Sequence, residues 1–380
     1  MTDETTSVKV SSPWDEAPPR EGISNDGRFI REVHGIIRDL LPPKAEIYWA
    51  DFLITISIAY TALAFFLTAA NGSIVQVVSW LIAGLALYRA SVFTHELVHL
   101  RRGTFIPFRI TWNVLFGIPC LMPSFLYYDH VSHHVRHSYG TADDAEYYPL
   151  AHGPAAVVYA YLAQIVVIPV AAVIRVLLLV PLSFLIPPLR RVLWERASSL
   201  AVINPQYRRP LPGREERLAA NLQEIACVLF VYGVIAAIVW GPLSWTLLPK
   251  LYAVFLVVVS VNYLRALGSH CYRNEGSSMS YVEQLLDSTT IPGHPLWTEL
   301  WAPLGMRYHA LHHLVPSLPY HAMGRAHRRL IRQLPPDSPY HATLRRSLLS
   351  AILQVYHEAR AGSGVNARVG KTTPSGNVVS

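Results

Sequence analysis

The sequence predicts an all-α integral membrane protein. We expect about four transmembrane helices in two hairpins, further re-entrant or interfacial helices, and a cytoplasmic helical cap carrying a metal site. Three observations predict this. Of 380 residues, 52% are hydrophobic and only 15% charged, against about 25% charged in ordinary soluble proteins. Several apolar runs reach the ~20 residues that a helix needs to cross a bilayer. Histidines gather in three clusters beside those runs: His95 and His99; His130, His133 and His134; His309, His312 and His313.

Residues 1–46 read as a polar, Pro-rich cytoplasmic tail ending in an amphipathic helix near 27–41. A membrane domain follows over 47–334. Its first two spans, 48–70 and 74–93, are joined by the uncharged Asn71, Gly72 and Ser73, which makes an antiparallel pair with the link outside. Residues 105–127 are broken by Pro107, Gly117, Pro119 and Pro123 and are too short to cross twice. They read as a re-entrant or interfacial segment. Residues 154–188 hold Pro169, Arg175 and Pro181 and form either a tight hairpin or helices lying in the interface. The runs 224–247 and 251–268 repeat the paired arrangement around Lys250. Arginines flank the pairs on the other side, among them Arg28, Arg31, Arg101, Arg102, Arg208, Arg214 and Arg273. The positive-inside rule then places both termini and all three histidine clusters in the cytoplasm. The net charge of +7 therefore reports membrane orientation and not nucleic-acid binding.

Residues 335–380 read as a cytoplasmic extension, disordered after about Ala361. Arg325, Arg328, Arg329 and Arg332 recur at helical spacing. They form either an ordinary cytoplasmic surface or a dock for an acidic electron carrier or lipid headgroups. No cleavable signal peptide is visible. Cys120, Cys227 and Cys271 make no disulfide framework.

Residues three and four apart share a helix face, so HxxxH aims two imidazoles one way and HxxHH aims three. Neutral imidazole ligates iron, zinc, copper and nickel. Eight such ligands exceed the four of one tetrahedral zinc. They suit two metal ions with open positions, and iron fits best, since nitrogen-rich open sites are where iron handles dioxygen. A lone cluster could instead cap helices or titrate at a surface. HELVH at 95–99 also matches the zinc-peptidase pattern HExxH, with Glu96 as general base. That reading leaves both HxxHH clusters idle. A metal transporter would want ionisable groups at mid-membrane, and the spans carry few.

An HxxxH box, an HxxHH box opening 35 residues on, two more spans and a final HxxHH box resemble the membrane fatty acid desaturases. So do YGTADDAEY after the second box and RYHALHHLVPSLPYHAMGRAHRRL around the third. The resemblance runs from about Ala45 to Leu334. It implies two iron ions, dioxygen as co-substrate, and oxidation of a long acyl chain to a cis double bond. Related enzymes of the superfamily hydroxylate lipids, sterols, carotenoids or alkanes instead. It further implies a ninth ligand after the last span, for which His270 is the candidate. The asparagine that some members place one turn earlier is Ala266 here, which leaves Asn262 or Asn274 as the candidate substitute. His137 extends the second box on the same face. Glu96, Asp143, Asp144 and Glu146 are candidates to accept the outer ring N–H of ligating histidines. His34, His152, His294, His321, His327, His341 and His357 belong to no box. There is neither a cysteine set for an iron–sulfur cluster nor an HPGG-type haem segment, so an external ferredoxin or cytochrome b5-like donor and its reductase are implied. Chain length, the carbon attacked and the acyl carrier are open.

Overall fold

The computed structural model describes residues 25–199 and 204–369. The expected tail before residue 25 and the last residues after 369 lie outside them. The amphipathic helix is α1, Asn25–Ile37. Val33 and Ile37 bury its apolar face against the segment around the third histidine box.

Among the described residues, five helices are long and apolar enough to cross a membrane. These are α2 (Ala45–Thr68), α3 (Ile74–His99), α6 (Ala155–Leu185), α8 (Arg214–Val239) and α9 (Leu247–Leu267). Between them lie α4 (Ile106–Trp112), α5 (His130–His133) and α7 (Pro187–Ala197). Beyond α9 come α10 (Tyr281–Asp287), α11 (Pro295–Trp301), α12 (His309–Leu314), α13 (Tyr320–Gln333), α14 (Pro339–Ala342) and α15 (Leu348–Val369). Among the described residues there is no β-strand, only two isolated bridges.

The first pair packs as expected. Ala59 and Ala62 of α2 and Ala83 of α3 are buried in their shared core, and small residues let helices approach closely without help from water. Ser73 caps α3 by accepting from Gln76 N. The short α4 wedges in beside the metal end of this pair. Phe108 packs edge-on against Tyr48 and Phe52, and Trp112 Nε1 donates to Ala90 O at 2.9 Å. The segment 105–127 thus stays short and does not span.

Two expectations are corrected. The second pair is not a packed hairpin. Helix α9 lies against α3 and α6, while α8 packs on the far part of α6. At Gly84 a Cβ would stand 2.6 Å from Val257, so glycine is what lets α9 reach α3. Residues 154–188 form neither a hairpin nor several interfacial helices before Leu185. They form one helix with a π-helical turn at Arg175–Leu179. Pro181 has no N–H to give Leu177, and the Tyr232 hydroxyl donates to Leu177 O instead, at 3.1 Å. A backbone carbonyl in an apolar setting needs such a substitute. The extension after 334 adds a further helix to the fold. Helix α15 continues past Ala361 to Val369, and its Val355 and Ala359 are buried with Tyr139 and Tyr147.

The spans carry more ionisable groups than their composition suggests. Asp51 pairs with Arg89, which also reaches Glu299, and Glu224 pairs with Arg175 and Arg190.

Candidate metal centre

Three helix ends and one loop bring nine histidines together. Helix α3 ends with His95 and His99, α5 is the second box, and α12 carries the third. His270 follows α9. Backbone pairing holds its loop to the third box. Cys271 N donates to Asp287 O at 2.6 Å, Thr289 N to Ser269 O at 2.8 Å, and Ala310 N to Thr289 O at 3.0 Å.

The histidines divide into two sets. His95, His99, His130, His134 and His312 form one, and His133, His270, His309 and His313 the other; within each, one ring nitrogen per residue lies within 4.8 Å of the rest. Eight of the nine are buried and His99 is half-buried. Facing nitrogens are close. His130 and His134 Nε2 are 3.0 Å apart, His134 and His312 Nε2 3.0 Å, His270 and His309 Nε2 2.8 Å, and His309 and His313 Nε2 3.2 Å.

Those contacts cannot all be hydrogen bonds. A neutral imidazole has one N–H. The His133 Nδ1–H points at Asp144 Oδ2, 2.8 Å away, and His130 Nδ1 at Glu146 Oε1. The His270 Nδ1–H points at the Tyr139 hydroxyl at 2.9 Å, and that hydroxyl donates to Asp287 Oδ2 at 2.9 Å. With Nδ1 so committed, Nε2 of these three rings is a bare acceptor turned inward. His95 has no partner at either nitrogen, nor has His99 at Nε2. Convergent lone pairs and buried orphan nitrogens are costly unless a cation lies among them. Metal–imidazole bonds of about 2.0–2.1 Å put neighbouring nitrogens about 3 Å apart around one ion. The donor set therefore fits two metal ions, one for each set.

The electrostatics keep most of the ligands neutral. Burial first, then neighbouring histidines and, for His309 and His270, the Arg265 charge, push the pKa values of His134, His270, His309, His312 and His313 well below the ordinary imidazole range. His133 departs from this. Burial lowers its pKa, but the surrounding carboxylates, Asp144 foremost with Glu146 and Asp287, together outweigh burial and the net direction is up. Burial raises the Glu146 carboxyl, and His130 together with His133 and Arg265 more than offsets it, leaving it below the usual range.

Several expected neighbours lie elsewhere. His137 and Asp143 are exposed and bond no histidine, because the loop turns them outward while Tyr139, Gly140 and Asp144 are buried. Asn262 accepts from Arg265 at 3.0 Å. Asn274 spends its side chain on the Gly276–Ser277 turn and on Tyr139 O. Glu96 is buried but accepts from Tyr48 Oη at 2.7 Å and Tyr320 N at 3.2 Å. Both donors hold the same oxygen, Oε2, and neither belongs to the histidine sets. Asp144 and Glu146 lie against His133 and His130.

Sequence reasoning missed Tyr139, Tyr147 and Asp287. The two tyrosines open and close the YGTADDAEY segment, and Tyr147 Oη also donates to Asp287 Oδ2 at 2.9 Å. Their positions in that segment were the available signal. Asp287 sits at the end of a seven-residue helix with no local pattern around it.

Comparison with known proteins agrees with this architecture. The profile of the family described as fatty acid desaturase matches residues 72–344, and the chain belongs to that family. It is also similar to the ceramide hydroxylase of Caulobacter vibrioides (strain NA1000 / CB15N), with 38% identity over 339 residues, covering 89% of this chain and 95% of the relative. No solved structure matches.

Proposed function

We propose that this chain is a di-iron membrane hydroxylase acting on a ceramide-like lipid, an N-acyl sphingoid base. The sequence alone favoured acyl desaturation. The observation that carries the hydroxylase reading is the 38% identity along nearly the full length of a ceramide hydroxylase, on top of family membership. The two all-nitrogen histidine sets support iron. We assign the nine histidines as its ligands, His95, His99, His130, His134 and His312 to one ion and the other four to the second.

When bound, the iron pair supplies the dioxygen activation that no side chain here can provide. The balance is one oxygen atom into a C–H bond and the other into water. Two electrons and two protons must come from outside, so an external one-electron carrier is required. The protein's own contribution is positioning. Asp144, Glu146 and the Tyr139–Asp287 pair fix ring orientation by holding Nδ1–H. The five apolar helices set the centre against the bilayer, where a lipid can enter without passing through water. Arginine-rich segments on the metal side of the spans support a cytoplasmic location for the site.

The test is lipid mass spectrometry of cells supplied with ceramide and expressing the chain, beside the double variant His133→Ala, His312→Ala. Ceramide heavier by one oxygen, absent in the control, is the expected result. Species lighter by two hydrogens would return the chain to the desaturases.

A further inference from the structure

A polar cleft of about 410 Å³ lies where α13 and α11 meet α3, and its walls include Arg89, Glu299, Arg307, Tyr308, His321 and Gly324. No histidine of the two metal sets lines it. Lys44 N, just ahead of α2, donates to His321 Nε2 at 3.2 Å, which puts the cleft at the end of the spans that carries the metal centre. Its two arginines differ. Arg89 is already paired, with Asp51 at 2.8 Å and with Glu299 at 2.9 Å. Arg307 joins no ion pair among the described residues. Its Nε and Nη1 are buried with no hydrogen-bond partner, and its Cζ lies over the Tyr308 ring, 4.8 Å from the centroid. Two further arginines stand at the mouth. Arg328 Nη1 is 3.6 Å from where a Gly324 Cβ would be, and Arg325 is exposed one turn after His321. Neither is in an ion pair among the described residues, whereas Arg329 of the same helix is held by Asp39.

Buried donors of a cation with no acceptor are costly, and an anion in the cleft would remove that cost. Phosphate suits it, because its oxygens take several donors at once and match the arginine fork. The depth of the cleft says where the phosphate comes from. Leu296, Trp297 and Leu300 of α11 are exposed. An exposed Trp–Leu face on a short helix at the end of membrane spans is an interfacial anchor. Glu299, on the cleft wall, belongs to that same helix. The cleft therefore lies at the level of the lipid headgroups.

We infer that this cleft binds the phosphate headgroup of an anionic membrane lipid, with Arg307 as its main partner and Arg325 and Arg328 at the rim. The inference goes beyond the lipid-oxidation reading and does not depend on it. Ceramide carries no phosphate, so the bound lipid is not the substrate proposed above. It is a second lipid, one that ties α11 and α13 to the bilayer beside the metal centre.

The experiment uses the iron-loaded full chain in neutral detergent and a fluorescent short-chain phosphatidate, read by anisotropy. Unlabelled phosphatidate, the diacylglycerol of the same chains and inorganic phosphate serve as competitors. Two variants are compared with wild type. Arg307→Gln removes the charge. Gly324→Leu fills the cleft and leaves every charge in place; a Cβ there fits, with Tyr308 Oη 3.5 Å away. Iron per chain and melting temperature are measured for each. Phosphatidate should compete, diacylglycerol should not, and inorganic phosphate should do so only at far higher concentration. Arg307→Gln should bind at least about tenfold more weakly, the loss expected when a charged hydrogen bond goes. Gly324→Leu should also bind more weakly, with iron content and melting temperature unchanged. Equal competition by diacylglycerol would show that the chains bind and not the head, and equal competition by inorganic phosphate would make this a site for a soluble anion. A fluorescent oligoglutamate held as tightly through Arg307 would assign the cleft to an acidic protein. Each of these overturns the inference, as does unchanged binding in Arg307→Gln. Should Arg307→Gln lose iron, Gly324→Leu decides alone, and undiminished binding there overturns the inference.

Discussion

Asp144 does the work that the sequence divided between two aspartates. Its Oδ2 accepts from His133 Nδ1 and Gly140 N, and its Oδ1 from Glu146 N. Asp144→Asn should therefore lower iron affinity or turnover by about 10–100-fold, the usual cost of removing such an outer partner. Asp143→Asn, one position away and exposed, should leave both unchanged. Iron analysis with turnover on the two variants checks the contrast. A second residue reports on pH. Burial, with Arg307 adding to it, lowers His327 from 6.5 to about 4, and its Nδ1 faces Tyr340 Oη at 2.7 Å. The folded pKa lies below the unfolded one, so the unfolded chain takes up the proton first. The contribution of His327 is complete above pH 6.5 and fades as pH falls toward about 4. In thermal melts between pH 7 and 5, His327→Gln should show a shallower loss of stability than wild type.

Helix packing at Gly84 is the tightest condition on the bundle. A side chain there meets Val257 at once, so Gly84→Leu should cost about 1–3 kcal/mol. Adding Val257→Ala should restore part of it, because the two positions share one contact. Thermal unfolding of the single and double variants measures this. Helix α6 shows what element-scale reasoning could not reach. Its prolines and Arg175 broke the apolar pattern and suggested separate pieces. The π-helical turn absorbs those breaks within the helix, and the Tyr232 hydroxyl and Glu224 absorb them from α8; neither partner is local in sequence.

At the scale of the molecule, the spans and boxes were legible because each is written within one stretch of chain. Periodic apolar runs of helix length and histidines three or four apart carry their own geometry. Packing order was not legible. Nothing in α8 or α9 says that α6 takes the place of a hairpin partner. His270 came from resemblance, and the loop pairing that aims it spans residues 269–310. Asn262 and His137 were misplaced for the complementary reason: sequence proximity to a ligand does not fix where a side chain turns. Since nine rings converge, eight of them buried, bound metal should be a large part of the stability of this end of the molecule. Removing it with a chelator should lower the melting temperature, and restoring ferrous iron should recover it.

The boxes do not map one to one onto the two histidine sets. Helix α5 sends His130 and His134 to one set and His133 to the other, and α12 sends His312 to the first and His309 and His313 to the second. Seating the first ion therefore fixes the two short helices that must also present the second. Occupancy becomes a joint property of the pair, and the half-filled protein is the least favoured species. Native mass spectrometry during iron titration should show empty and doubly loaded chains exchanging population, with little of the singly loaded form between them.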